Sequence, residues 1–147
     1  MKSSASFERE VLSWPDVSVH PHQFAAKEFR FRKAEIGHLH SGGTLDIPFT
    51  RAIHDALLAD GFAEQHRWVP DSGWITFHLR RDKDLPHAIW LMRLSWLRYA
   101  LKAAAQNSSQ AARQLLDQQS EDLHLQPRYK SLLEAHIPKS GARPTAA

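Results

Sequence analysis

Apolar and polar residues alternate along several short stretches in the first half of the chain, which is the pattern of strands with one buried face. Four such strands are predicted close together, at 17–24, 28–33, 35–40 and 44–48. Their short connections predict an antiparallel meander. A fifth strand is predicted at 74–79, after the turn-forming Pro70-Asp71-Ser72-Gly73, and the mixed segment 62–69 has room for a sixth.

Helical spacing of apolar residues appears in the segments between and after these strands. The predicted helices are 7–14, 50–60, 84–105, 109–119 and 128–136. We expect residues 1–6 to form a flexible lead-in and Thr50 to cap the second helix. The helix at 84–105 is apolar around more than one stripe, so we expect one side to pack on the sheet and the other to meet a tail or a second copy of the chain.

Together these elements predict an α+β fold, with an antiparallel sheet of five or six strands backed by helices and followed by a C-terminal helical extension. The predicted organisation is a domain at 7–105, a helical extension at 106–137 that packs on it, and a disordered tail at 138–147. A possible homodimer would form through the long apolar helix.

Composition limits the classes of function. The 147 residues are 42% hydrophobic, which is enough for one core, and the net charge of +3 is spread without basic runs, so nucleic acid is an unlikely partner. The chain has no cysteine, so a metal site would need histidine and carboxylate ligands. We expect a soluble, cytoplasmic protein without a membrane partner, because no apolar run is long enough for a span or a signal peptide.

Two histidine pairs, His20-Pro21-His22 and His38-Leu39-His40, lie in predicted strands. The period of two along a strand places both members of a pair on one face, so all four rings can converge if the strands share a sheet. Such a site could bind a metal, take a proton or hold an acidic ligand. Histidines at half-buried strand positions are also commonly structural. Asp46 alternates with Leu45 and Ile47, where it could orient a histidine by accepting its second N–H.

Four motifs occur in order along this region: Glu28-Phe29-Arg30-Phe31, Glu35-Ile36-Gly37-His38-Leu39-His40, Asp46-Ile47-Pro48-Phe49 and Asp71-Ser72-Gly73-Trp74-Ile75-Thr76-Phe77. They resemble the luciferase-domain family, which contains the fungal luciferases and many small bacterial proteins of unassigned function. The resemblance covers about 11–102 and departs at Ala25-Ala26, where a glycine pair is expected. A looser similarity to the MmcQ/YjbR-like fold concerns architecture only.

The resemblance implies a cofactor-independent oxygenase-type enzyme, an oxidoreductase that uses O2 on a small enolisable, hydroxypyrone-like or phenolic compound. The fungal enzymes oxidise 3-hydroxyhispidin in this way, without flavin or metal. The reaction needs a base with a pKa near neutrality, and His38 or His40 is the predicted catalytic base. Phe24 is expected to help form a flat apolar wall. The predicted substrate-binding residues are His20, His22, Arg30, Arg32, Asp46, His66 and Trp74.

Two other classes of function stay open. A His-rich metal-binding protein or metalloenzyme would use His20, His22, His38 and His40, with Asp46 as a further ligand. A non-catalytic module would bind a small molecule or nucleic acid without turnover. A hydrolase is not favoured, because Ser72 lies in a turn and lacks the Gly-x-Ser-x-Gly elbow.

Overall fold

Six strands form one antiparallel sheet in the computed structural model, which describes residues 2–139. The strands are β1 (Val17–His22), β2 (Ala26–Phe31), β3 (Ala34–Leu39), β4 (Thr44–Pro48), β5 (Glu64–Gln65) and β6 (Trp74–His78). Their order across the sheet is β1-β2-β3-β4-β6-β5. The predicted α+β class, the antiparallel sheet and the sixth strand within 62–69 are confirmed.

Five α-helices lie in the described part of the chain. They are α1 (Lys2–Leu12), α2 (Arg51–Ala59), α3 (Leu85–Asn107), α4 (Ser109–Asp122) and α5 (Pro127–Glu134). Thr50 caps α2, as predicted, because its side chain accepts a hydrogen bond from the backbone N–H of Ile53 at 3.3 Å. Ser108 caps α4 in the same way through Ala111.

The first helix begins earlier than predicted. Residues 1–6 were expected to be flexible, but α1 starts at Lys2. Ser3, Phe7 and Val11 follow one another at intervals of four and are all buried, so the helix presents one continuous stripe to the interior. Ser3 also donates a hydrogen bond to the carboxylate of Asp82. This long-range contact, which local sequence does not reveal, holds the first turn of the helix.

One face of the sheet is apolar and is covered by the first half of α3. Its residues are almost entirely buried and include Phe29, Leu39, Leu45, Ile47 and Ile75. Ser95 of α3 donates to the backbone carbonyl of Ile36 at 2.8 Å. A Cβ on Gly37 would lie 2.9 Å from Sδ of Met92, so glycine at this point permits the close approach of α3. The predicted packing of the long helix on the apolar face is therefore confirmed for its first half.

A register shift interrupts the pairing of β2 with β3 between Phe29 and Arg30. Such a bulge breaks the strict alternation of faces. Strict alternation would place Ile36 on the same face as His38, but Ile36 is fully buried and Glu35 contacts His38 instead. The bulge therefore exchanges an apolar neighbour of His38 for a carboxylate.

The connection between β1 and β2 is tighter than predicted. The strand expected at 17–24 ends at His22, and a 3-10 turn follows at Gln23–Ala25. Phe24 and Ala25 have φ angles of 59° and 62°, the left-handed region that glycine adopts most easily. The turn thus adopts a glycine-like conformation without the expected glycine pair.

The chain divides into two units, residues 1–96 and 97–147, and the division falls within α3, before the boundary predicted at 105. In the second unit, ion pairs of 2.9 Å join α4 to α5, between Arg113 and Glu134 and between Lys130 and Asp117. The packing of the extension on the domain stays a prediction, as does dimerisation. Most of the predicted disordered tail, 140–147, lies outside the described residues. Among the described helices, none has the length and apolar character to cross a bilayer.

Candidate functional site

A row of directly paired residues crosses the sheet on the face opposite the apolar core. From β1 to β5 the row is His20, Glu28, His38, Asp46, Thr76 and Glu64. Directly opposite residues in an antiparallel pair carry their side chains on the same face. The pairing register therefore brings polar side chains from all six strands onto one surface.

Asp46 is the centre of this surface and is only 4% exposed. Its Oδ2 lies 3.0 Å from Nε2 of His40 and 3.2 Å from Nε2 of His38. Nε2 of His66 is 3.7 Å from the same oxygen. The other carboxylate oxygen accepts a hydrogen bond of 2.6 Å from the hydroxyl of Thr76. We call these five residues the Asp46 cluster.

Two members of the cluster have strongly shifted pKa values. Burial alone would raise the pKa of Asp46, but the hydrogen bonds from His38, Thr76 and His40 lower it to about 2. Burial would likewise lower the pKa of His38, but hydrogen bonds to Asp46 and Glu35 raise it to about 9. Glu35 lies 2.7 Å from Nδ1 of His38, so each ring nitrogen of His38 faces a carboxylate. At neutral pH His38 is therefore an imidazolium between two anions.

The contacts also assign the hydrogen on His66 and distinguish it from His40. The backbone N–H of Trp68 donates to Nδ1 of His66 at 3.2 Å, so in the neutral ring Nε2 carries the hydrogen that faces Asp46. His40 also directs Nε2 toward Asp46. Within residues 2–139, no hydrogen bond reaches Nδ1 of His40. His40 thus has an imidazole nitrogen that is available to accept a proton.

Three further predicted site residues lie beside the cluster. The ring of His22 stacks on His38 with centroids 4.5 Å apart, and its Nδ1 is 3.0 Å from Glu28. Arg30 donates to the other oxygen of Glu28. Burial opposes ionisation of Glu28, but the hydrogen bonds from Arg30 and His22 lower its pKa. Trp74 places its ring 5.4 Å from that of His38.

Other predicted residues have their contacts elsewhere. His20 lies on the same face by register, but its Nε2 contacts the hydroxyl of Ser18 at 2.8 Å. Arg32 lies after β2, 3.5 Å from Asp16 and above the ring of Phe31. Phe24 is 88% exposed in the turn between β1 and β2. The structure therefore does not bring His20, Arg32 or Phe24 into the Asp46 cluster, and their predicted roles remain predictions.

A cleft of about 690 Å³ opens beside the cluster. His40, Asp46, His66 and Thr76 contribute to its wall. The remaining lining residues are Thr44, Glu64, Gln65, Arg67, Trp68, His78 and Arg80. The volume lies within the roughly 300–1,000 Å³ typical of sites for small organic molecules.

The sequence interpretation missed several residues of this site. Thr76 and His78 alternate with Ile75 and Phe77 along β6, so strand periodicity could have assigned them to the histidine face. Glu35 could not have been found in this way, because its contact with His38 depends on the bulge. The polar surface therefore includes more residues than the two histidine pairs alone indicated.

Three side chains of the cluster are arranged as metal ligands could be. His38, His40 and Asp46 each offer one ligand atom, and these atoms all lie within 4.8 Å of one another. Two imidazoles and a carboxylate can bind zinc or a transition metal. The predicted metal alternative used four histidines with Asp46 as a further ligand. In the structure His38, His40 and Asp46 lie together, while His20 and His22 have other contacts.

Comparison with known proteins finds a family model that matches the part of the chain that contains the Asp46 cluster. Residues 33–95 match the family model described as Luciferase domain. The matched stretch runs from β3 into the first half of α3 and includes His38, His40, Asp46 and His66. Neither the curated proteins nor the solved structures contain a match to the chain.

Proposed function

We propose that this protein, whose residues 33–95 match the model of the luciferase-domain family, removes a proton from a small enolisable or phenolic compound that then reacts with O2. One observation carries the proposal. A single carboxylate oxygen of Asp46 lies within 3.0 to 3.7 Å of three imidazoles, and two of these, His40 and His66, line an open cleft. Such an arrangement is suited to moving a proton at a small organic ligand.

His40 is the proposed general base. Asp46 accepts the hydrogen on Nε2, which leaves the lone pair on Nδ1, and the carboxylate fixes the orientation of the ring. His40 also lines the cleft. The geometry thus favours His40 over His38, the other predicted base.

His38 takes a different role in this proposal. Both of its nitrogens contact carboxylates, those of Asp46 and Glu35, so it lacks a free lone pair. Its positive charge keeps Asp46 ionised and fixed in front of His40. His38 is therefore a positioning residue that acts on substrate through Asp46 and His40.

The proposed reaction begins when the substrate O–H transfers its proton to Nδ1 of His40. The electron pair left on oxygen delocalises to the neighbouring carbon of the enolate. That carbon then forms a bond to O2, which is reduced to a peroxide anion as the enolate is oxidised, and the proton on His40 can return to the peroxide. His66 lines the same cleft and directs its Nε2 hydrogen toward Asp46, so it helps to hold the carboxylate in place beside His40.

Oxygen uptake by purified protein with hydroxypyrones and phenols tests this role. We expect His40→Ala to lower turnover by about 10²-fold or more, the usual scale for loss of a general base, while the fold is retained. His124→Asn is a matched control, because His124 is an exposed histidine outside the cleft and asparagine tolerates its left-handed backbone. Full activity in His40→Ala would show that another group removes the proton.

A second candidate is a metal centre formed by His38, His40 and Asp46, whose ligand atoms lie within 4.8 Å of one another. Glu35 and Thr76 contact the remaining polar atoms of His38 and Asp46, as supporting residues around metal ligands do. Elemental analysis and chelation separate the candidates. A metal centre predicts stoichiometric metal and loss of O2 uptake after chelation, whereas the general-base proposal predicts unchanged uptake.

A further inference from the structure

Two arginines contribute to the cleft without a carboxylate partner. Arg67 and Arg80 both line it, and in the described part of the chain neither guanidinium forms an ion pair. The carboxylate of Asp84, near Arg80 in sequence, accepts hydrogen bonds from the backbone N–H groups of Arg80 and Arg81. Arg67 and Arg80 therefore leave their side-chain donors available to a ligand.

The acidic residues of the cleft already have cationic or polar partners. Asp46 is surrounded by three imidazoles and a hydroxyl. Glu64 lies 3.4 Å from Nε2 of His78. Among the described lining residues, the two arginines are therefore the cations that lack a carboxylate partner. A guanidinium presents planar pairs of donors that match a carboxylate.

An exposed aromatic ring lies next to this charge. Trp68 is 75% exposed although it is one of the largest apolar side chains in the protein. The guanidinium of Arg67 lies 5.7 Å from the centroid of its ring. The ring centroids of Trp68 and His66 are 6.2 Å apart, so Trp68 is close both to Arg67 and to the Asp46 cluster. A flat conjugated ligand could contact the Trp68 ring and at the same time reach Arg67 and the Asp46 cluster.

We infer that the cleft binds an aromatic or conjugated carboxylate. Its ring lies against Trp68, and its carboxylate is bound by Arg67 and Arg80. The inference rests on the proposed function, because that proposal makes the cleft the substrate site. It adds the substrate class: an anion with a conjugated ring, in preference to a neutral compound.

Calorimetric titration with two matched ligands, 4-hydroxycinnamate and its neutral amide, tests this inference. We expect the wild type to prefer the carboxylate by about tenfold or more, the scale of one charge-assisted hydrogen bond. Arg67→Gln and Arg80→Gln should each reduce the preference, and the double variant should abolish it. Lys33→Gln, which removes an exposed positive charge outside the cleft, should preserve it. Trp68→Ala should lower the affinity for both ligands by a similar factor.

Equal wild-type affinities for the two ligands, a preference that survives in the double variant, or no saturable binding of either ligand would overturn the inference. Thermal unfolding of each variant verifies that the exposed substitutions leave the fold intact. His40→Ala separates this inference from the proposed function. Unchanged O2 uptake in His40→Ala with an intact ligand preference refutes the general base alone, whereas loss of uptake without any wild-type preference refutes the carboxylate site alone.

Discussion

The two faces of the sheet are made by the same strands but are stabilised in different ways. On the face beneath α3, Leu45 and Ile47 are fully buried and pack with other apolar side chains. Between them in sequence, Asp46 points to the opposite face and is almost as deeply buried, at 4% exposure. A single strand thus supplies both an apolar core and a buried charge.

The difference between the faces lies in what each requires of its neighbours. An apolar side chain needs only a partner of suitable volume, so many sequences can satisfy the face beneath α3. A buried carboxylate needs specific donors. Asp46 obtains them from β3, from the residue that follows β3, from β6 and from the loop after β5; these donors are His38, His40, Thr76 and His66. The contacts of the polar face therefore depend on the register of the strands. We expect substitutions there to change activity and the pH dependence of stability more than they change core packing.

The largest effect on stability should come from the apolar face. Phe29 is fully buried, and its ring meets that of Phe7 edge to face at 5.7 Å. We expect Phe29→Ala to lower the free energy of unfolding by about 3–5 kcal/mol, because it removes this contact and leaves a cavity. Urea denaturation measures the change. Lys33→Ala, at an exposed position after β2, should change it by less than about 0.5 kcal/mol. Similar losses in the two variants would contradict the contrast between core and surface.

The apolar face was the more predictable of the two from sequence. Alternation along 44–48 and 74–79 assigned Leu45, Ile47 and Ile75 to the core, because the period of two applies wherever a strand is regular. The same rule placed His38, His40 and Asp46 on the other face, and the structure brings their side chains together.

The other parts of the site depend on contacts that no local pattern contains. The bulge in β3 brings Glu35 to His38, and the two-residue strand β5 precedes His66, which approaches Asp46 from a distant segment. The start of α1 likewise depends on Asp82, 79 residues after Ser3. Local sequence also does not reveal the charge of His38, one of the two predicted catalytic bases. Two carboxylates beside this ring raise its pKa and keep it protonated at neutral pH. The sequence pattern therefore predicted which face of the sheet carries the site residues, whereas their protonation states follow only from contacts seen in the structure.

The next largest effect should be a dependence of stability on pH that originates on the polar face. The pKa of His38 rises from 6.5 to about 9 on folding, so its contribution is complete below pH 6.5 and disappears as pH rises through 9. We expect chelator-treated wild type to lose about 2 kcal/mol more unfolding free energy than His38→Gln between pH 6 and pH 9.5. Urea denaturation at several pH values measures this difference. Parallel pH profiles for the two proteins would exclude a stabilising charge on His38.

The smallest effect should come from one hydroxyl on the same face. Thr76 donates to Oδ1 of Asp46 at 2.6 Å, and this bond helps to lower the pKa of the carboxyl from 3.8 to about 2. A carboxyl with a lowered pKa contributes stability above pH 3.8 that is lost as pH falls through 2. Thr76→Val keeps the side-chain shape but removes the donor. We therefore expect it to cost about 1 kcal/mol near neutral pH and to move acid unfolding to a higher pH. Thr44→Val is the matched control, because the Thr44 hydroxyl contacts His78 at 3.5 Å and leaves Asp46 untouched. Circular dichroism during acid titration measures both midpoints, and equal midpoints would show that Thr76 does not hold Asp46 in its ionised form.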